Sequence, residues 1–129
     1  MNIRQGEPIP ELRVTPDRYL PHRYAGASGD FNPIHIDPEF AKQVGLPSTI
    51  LHGLYTMGLV ARANVAAAGG DPRALRRLSV QFRGMGLPEK EIVVRGTVRE
   101  VSGSGALIDT EAEQDGNRIV RNAVAELAG

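Results

Sequence analysis

Cysteine is missing from all 129 residues, which removes disulfide frameworks and thiolate nucleophiles and gives no sign of an oxidising compartment. An excess of either charge is missing too. With 15 basic side chains against 15 acidic ones, no overall field draws the chain to nucleic acid or to an anionic membrane. No apolar run reaches the roughly 18 residues of a membrane span, and MNIRQGEPIPEL at the N-terminus has neither an apolar core nor a cleavage site of a signal peptide. The expectation is a soluble, cytoplasmic protein. Repeats, low-complexity tracts, HExxH, GxGxxG, GxxxxGK and GxSxG are also absent, which withdraws support from solenoids, zinc peptidases, phosphate cradles and serine hydrolases. A chain of this length is expected to form one domain, residues 1–129, around one core.

What remains is concentrated between Tyr24 and Gly58. Tyr24, Ala25 and Ala27 suggest a short helix ending at Ser28-Gly29, where glycine suits a left-handed closing residue. Asp30 then falls on a loop, and Asn32-Pro33 favours a turn because proline forces the residue before it away from the helical region. Such a turn aims Asp30 and His35 at one point. A carboxylate and an imidazole meeting in one small volume hold a water and move protons to and from it. Asp30 could equally serve only the N–H groups of its own turn, and His35 could be a packed histidine bonded to a carbonyl.

Asp37-Pro38-Glu39 has the order of an N-cap, a first-position proline and a first-turn acid, with Gly45-Leu46-Pro47 closing a short helix. From Leu51 to about Ala68, apolar residues fall on nearly every side, which predicts a long helix buried all round. His52-Gly53 stands at its start. The unbonded N–H groups there, unobstructed by a side chain on Gly53, are placed to face a carbonyl oxygen that becomes negative. His52 reads as a residue that caps backbone groups or orients the loop. Asp30, His35, Asp37 and His52 are all possible metal ligands, but they form no familiar three-ligand spacing, and Asp37 already has a capping role; no metal is expected.

After Gly69-Gly70-Asp71-Pro72 the apolar period becomes two. Leu78, Val80 and Phe82 alternate with polar residues, as do Ile92, Val94 and Val98 beyond a Gly/Pro break. Strands are predicted over Ala106–Gln114 and Asn117–Leu127, joined by an Asp115-Gly116 hairpin turn, so that the C-terminal half reads as an antiparallel meander. Leu12, Val14 and Tyr19 allow one edge strand broken by Pro16, after an irregular lead-in from Met1 to Pro10. The fold class is α+β, with a sheet wrapped around one helix. Arg73, Arg76, Arg77 and Arg83 form the only dense basic cluster, either a solvated face or contacts for an anionic carrier.

The run Y-A-G-A-S-G-D-F-N-P-I-H from Tyr24 to His35, with His52-Gly53 downstream, resembles the MaoC-like family of dehydratases and (R)-specific enoyl-CoA hydratases. Within it the chain is most similar to the catalytic subunit of actinobacterial (3R)-hydroxyacyl-ACP dehydratases. The resemblance implies a hot-dog fold whose protomers pair as a homodimer or as a heterodimer with a related subunit. It also implies interconversion of trans-2-enoyl and (3R)-3-hydroxyacyl thioesters of CoA or acyl carrier protein, with no cofactor. Asp30 and His35 are then the acid–base pair and Gly53 the oxyanion donor. Asn32, Pro33, Leu54, Tyr55, Met57 and Arg77 become the substrate-binding candidates, with Leu59 and the Leu46-Pro47-Ser48 segment near the acyl tail. A hot-dog thioesterase, or a partner subunit of a heteromeric dehydratase in fatty-acid, polyketide or steroid side-chain metabolism, is the alternative. Retention of both Asp30 and His35 speaks against a non-catalytic subunit.

Overall fold

The computed structural model describes residues 3–129. Strand β1 (Leu12–Val14) is followed by helices α1 (Leu20–Ser28), α2 (Pro33–Ile36), α3 (Pro38–Gln43) and α4 (Gly53–Ala67). After a short 3-10 turn at Pro72–Ala74 come β2 (Leu75–Phe82), β3 (Ile92–Ser102), β4 (Gly105–Gln114) and β5 (Asn117–Ala128). The strands form one sheet in the order β1-β3-β4-β5-β2, and every pairing is antiparallel. The meander expected for the whole C-terminal half therefore holds only for β3, β4 and β5. Strand β2 is not hydrogen-bonded to β3, the next in sequence; it pairs with β5 at the far edge. The long Gly/Pro segment between Phe82 and Ile92 lets the chain cross to the other side of the sheet, which a tight hairpin would have prevented.

Local chemistry accounts for the turns. Asp115 and Gly116 both take positive φ, at 52° and 77°, as a two-residue turn that matches the twist of β4 and β5 requires. Asp37 caps α3 by accepting from the Glu39 and Phe40 N–H groups. The lead-in before β1 is not wholly irregular. Ile9 donates to the Gly96 carbonyl at 3.0 Å and lies over Gly96, where a Cβ would come 3.0 Å from the Ile9 side chain.

Helix α4, 15 residues or about 22 Å long, packs against β2, β3, β4 and β5. Leu59, Val60 and Ala63 from the helix join Ile92, Val94, Val98, Ile108, Val120 and Ala125 from the curled sheet in one apolar core. This is the hot-dog arrangement. The expectation that α4 is buried on every side needs correction: Leu54, Gly58, Arg62 and Ala66 follow one another at helical spacing along an exposed flank. Strands β2 to β5 curl around most of the helix and leave that flank open. Inside, Asn64 is fully buried and donates to the Val60 carbonyl and to Thr110 Oγ1, tying the helix to β4. No helix is long and apolar enough to cross a membrane among the described residues.

The two faces of α4 give different expected responses. Val60→Ala removes two methyl groups at a position with no solvent exposure and is expected to cost about 2–3 kcal/mol. Arg62→Gln, on the open flank, is expected to stay within about 0.5 kcal/mol. Urea denaturation measures both, and equal costs would contradict the one-sided burial.

Candidate active site

Helix α1 closes at Gly29, whose φ of 80° turns the chain back while its N–H bonds the Ala25 carbonyl at 2.8 Å. Asp30 follows at once. Its Oδ1 accepts the Asn32 N–H at 3.2 Å, so one oxygen does serve the local turn. The other, Oδ2, faces His35 Nε2 at 3.9 Å. The Asn32-Pro33 pair builds more than a turn: Asn32 stays extended and accepts the Ile34 N–H, Pro33 occupies the first helical position, and the single turn of α2 carries His35 inward.

His35 is buried while the Asp30 carboxylate is half exposed. The imidazole is held at its other nitrogen, with Nδ1 2.8 Å from the Ile50 carbonyl. Because a carbonyl only accepts, Nδ1 carries a hydrogen, and in the neutral ring Nε2 presents its lone pair to Asp30. A carboxylate oxygen and this nitrogen are both acceptors. Their 3.9 Å separation exceeds a direct hydrogen bond, and a water between them has one hydrogen for each.

The segment before α4 completes the site. Ile50 donates to the Ile34 carbonyl at 3.1 Å and Leu51 to the Gly86 carbonyl at 2.8 Å, which fixes this stretch between α2 and the β2–β3 loop. His52 is buried with 3% exposure, its ring stacked on His35 at 3.8 Å between centroids and 17° between planes. The capping role expected for it does not appear, since its side chain caps nothing on α4. The loop-orienting role does: Nε2 lies 2.9 Å from the Asp30 carbonyl.

Helix geometry leaves the N–H groups of Gly53 and Leu54 without acceptors inside α4. Gly53 has a second neighbour that its sequence position does not announce. A Cβ there would lie 3.2 Å from the ring of Phe82, the last residue of β2. Phe31, Leu54 and Phe82 stay 58%, 65% and 51% exposed, so large apolar side chains flank Asp30 and Gly53 at the open surface. Phe31 lies inside the D-F-N-P run but has no role assigned from the sequence, and nothing local distinguishes Phe82 from its alternating strand.

The substrate-binding candidates fall in different places. Asn32 and Pro33 are committed to building α2, and Tyr55 and Met57 are half-buried on α4. Burial pushes the Tyr55 phenol up from its ordinary value, which keeps it protonated near neutrality. Tyr55 and His52 both pack against Tyr24, with centroids 5.8 Å and 4.7 Å from its ring. Arg77 is not brought to the pair: it is exposed, lies 3.7 Å from Glu126, and sits roughly 16 Å along β2 from Phe82. Pro47 and Ser48 line an open cleft of about 430 Å³ with Lys42 and Thr49. A groove of about 490 Å³ on the opposite side of the sheet, among Arg95, Asp109 and Arg118, contains none of the site residues.

As a metal centre the cluster is poorly shaped. One ligand atom each from Asp30, His35 and His52 lie within 4.8 Å of one another, and Asp37 is not among them. The two imidazoles are nearly parallel, however, so a cation in the plane of one ring lies well out of the plane of the other.

Comparison with known proteins agrees with this arrangement. The enoyl-CoA hydratase 2, peroxisomal, of Arabidopsis thaliana is 42% identical over 85 residues, covering 64% of this chain and 26% of that protein. A solved structure described as a MaoC-like dehydratase superposes with a TM-score of 0.91 at 30% identity, covering 98% of this chain and 41% of the other. The (R)-hydratase from A. caviae involved in PHA biosynthesis has the same fold, with a TM-score of 0.87 at 21% identity over 98% of this chain and 97% of its own. The chain thus spans about a quarter of the length of its plant relative. Residues 5–124, from the lead-in beside β3 to the middle of β5, match the family described as MaoC like domain, and the chain belongs to that family.

Proposed function

We propose that the chain is an (R)-specific hydratase or dehydratase that interconverts trans-2-enoyl thioesters and (3R)-3-hydroxyacyl thioesters of CoA or acyl carrier protein. The observation that carries this reading is the pairing of Asp30 Oδ2 with His35 Nε2, the ring nitrogen not bonded to Ile50, across a water-sized gap of 3.9 Å. In hydration, a water held there attacks C3 and gives one proton to the pair. The C2–C3 electrons move toward the carbonyl, and the oxygen takes negative charge next to the Gly53 N–H at the positive end of α4. The pair then returns a proton to C2. Water is consumed whole, with OH on C3 and H on C2, and both additions come from the side on which Asp30 and His35 lie. Dehydration is the same path reversed. Either member of the pair can take the first proton, since two groups sharing one water exchange roles with direction.

The exposed apolar rim of Phe31, Leu54 and Phe82 supports an acyl substrate entering over Gly53. Arg77, distant from the pair, fits at most a contact with a remote part of the carrier. The absence of cysteine supports a reducing, cytoplasmic setting, and the even charge balance supports no role for nucleic acid. Residues 1–129 are proposed to act as one MaoC-like unit.

Asp30→Asn and His35→Ala are each expected to lower kcat by at least about 100-fold, the scale of a lost acid–base group, with unchanged circular dichroism. The assay is loss of the enoyl chromophore of trans-2-enoyl-CoA, followed by the configuration of the 3-hydroxy product. An (S) product, or thiol release with the chromophore intact, would refute the assignment, the second outcome in favour of a thioesterase.

Gly53→Val is expected to reduce kcat by at least about 100-fold, the scale of one lost oxyanion donor, because the branched side chain stands between the retained N–H and the thioester oxygen. Because a Cβ at this position meets the Phe82 ring at 3.2 Å, packing offers a rival explanation. The two are separated by combining Gly53→Ala with Phe82→Leu. Full recovery of the rate per folded molecule in the double variant means that Gly53 serves packing alone; a persisting deficit is expected.

Strands β1 and β2 each leave one side unpaired at a sheet edge, and the proposed assembly is a homodimer or a heterodimer with a related hot-dog chain. Light scattering of the active protein is expected to give at least twice the 13.9 kDa chain mass. Full activity in a strictly monomeric sample contradicts it.

A further inference from the structure

Histidine is a poor choice for the residue that opens a helix, where Ser, Thr, Asp or Asn accept the first free N–H groups. His52 occupies the N-cap of α4 with an extended backbone, yet its side chain turns away from the helix. It is directed instead at a residue distant in sequence. Its Nε2 lies 2.9 Å from the carbonyl of Asp30, and since that oxygen only accepts, Nε2 carries the hydrogen. Nδ1 is then left as a bare lone pair, buried and without a partner among the described residues. An unsatisfied buried acceptor is destabilising, so packing alone gives no reason for an imidazole here.

The contacts of the ring point to another reason. The N–H of His52 holds the backbone of Asp30, while Asn32 N–H holds Asp30 Oδ1, so the carboxylate is located from both ends. The face of the same ring lies on His35 at 3.8 Å and 17°. His35 is fixed within its plane by Nδ1–H to Ile50 O, and the stack limits tilting out of that plane. One side chain therefore touches both halves of the pair at positions that leave Oδ2 and Nε2 uncovered.

We propose that His52 is the positioning residue of the pair: its Nε2–H anchors the Asp30 backbone and its ring supports His35, which together set the water-sized gap between them. This rests on the reading of Asp30 and His35 as the acid–base pair. His52 itself exchanges no proton with substrate.

Three substitutions test the role by their order. His52→Gln places an amide N–H about where Nε2–H stands, His52→Asn carries the same amide too short to reach Asp30, and His52→Phe keeps the ring and the stack without any donor. Positioning through the anchor predicts that Phe and Asn each lose about 100-fold in kcat, the scale of a misplaced catalytic group, with KM within about threefold. Gln is expected to recover at least about a tenth of the wild-type rate. If His52 merely fills space, Phe is the best tolerated of the three and the rate per folded molecule is unchanged; that order overturns the proposal.

A second readout does not depend on activity. The chain has only 3 histidines, so ¹⁵N imidazole spectra can be assigned by single substitutions. Wild type is expected to show His52 protonated at Nε2 and His35 at Nδ1, with the His35 signals altered in the Phe and Asn variants but close to wild type in Gln. Protonation of His52 at Nδ1, or His35 signals untouched in all three variants, refutes positioning. A wild-type protein inactive on enoyl thioesters but with the expected spectra would overturn the proposed reaction while leaving the arrangement of the three residues supported.

Discussion

The site depends on how the three residues Ile50 to His52 are tied into the surrounding structure. Ile50 donates to Ile34 and accepts from His35, Leu51 donates to Gly86 in the β2–β3 loop, and His52 bonds the Asp30 carbonyl. Each of the three residues joins this stretch to a different part of the chain. Backbone groups buried near a helix start must find partners or lose free energy, and here the partners are the loop of Asp30, the turn of α2 and the crossing segment after β2. The same hydrogen bonds that satisfy the backbone therefore assemble the pair. A displacement of this stretch would move His35 Nδ1, the Asp30 loop and the start of α4 together.

Much of this was legible in the sequence because it is encoded locally. Gly29 ends α1, Asp37 caps α3, and Asp115-Gly116 makes the β4–β5 hairpin, each through the conformational preference of one or two residues. The convergence of Asp30 and His35 followed from a turn only a few residues wide. What could not be read was settled by contacts distant in sequence. The place of β2 beside β5 is a matter of sheet order, to which the alternation of Leu78, Val80 and Phe82 is indifferent. His52 looked like a helix-start residue, and only the fold brings Asp30 within reach of its Nε2. Phe82 reaches Gly53 for the same reason, as the end of a strand whose position the local pattern did not specify.

The open flank of α4 shows how a correct local inference can mislead about burial. A helix with small and apolar residues on most sides suggests enclosure. Gly58 and Ala66 present little apolar area, though, and Arg62 lies between them, so this flank loses little by meeting water. Leu54 is different. It projects from the first turn beside Gly53, and Phe31 and Phe82 are exposed as well; under the proposed reaction such an apolar rim is the surface that an acyl thioester would cover.

Under the proposed reaction, the stereochemical outcome follows from backbone geometry more than from the shape of an acyl pocket. The Ile50 carbonyl makes Nδ1 the protonated nitrogen of His35, so only Nε2 is left to handle protons from the bridging water. Asp30 spends one oxygen on the Asn32 N–H and turns the other toward that same nitrogen. The buried imidazole and the half-exposed carboxylate thus meet at one point, and Asp30 is the member of the pair open to solvent. An enoyl group whose carbonyl is held at the start of α4 would offer a single face of C2 and C3 to both. Addition of oxygen and hydrogen to that one face requires no rearrangement of the protein between the two steps. A pocket that only selected the tail could exchange one chain length for another without altering which face is attacked, because the groups that define the face are anchored to main-chain carbonyls and amides.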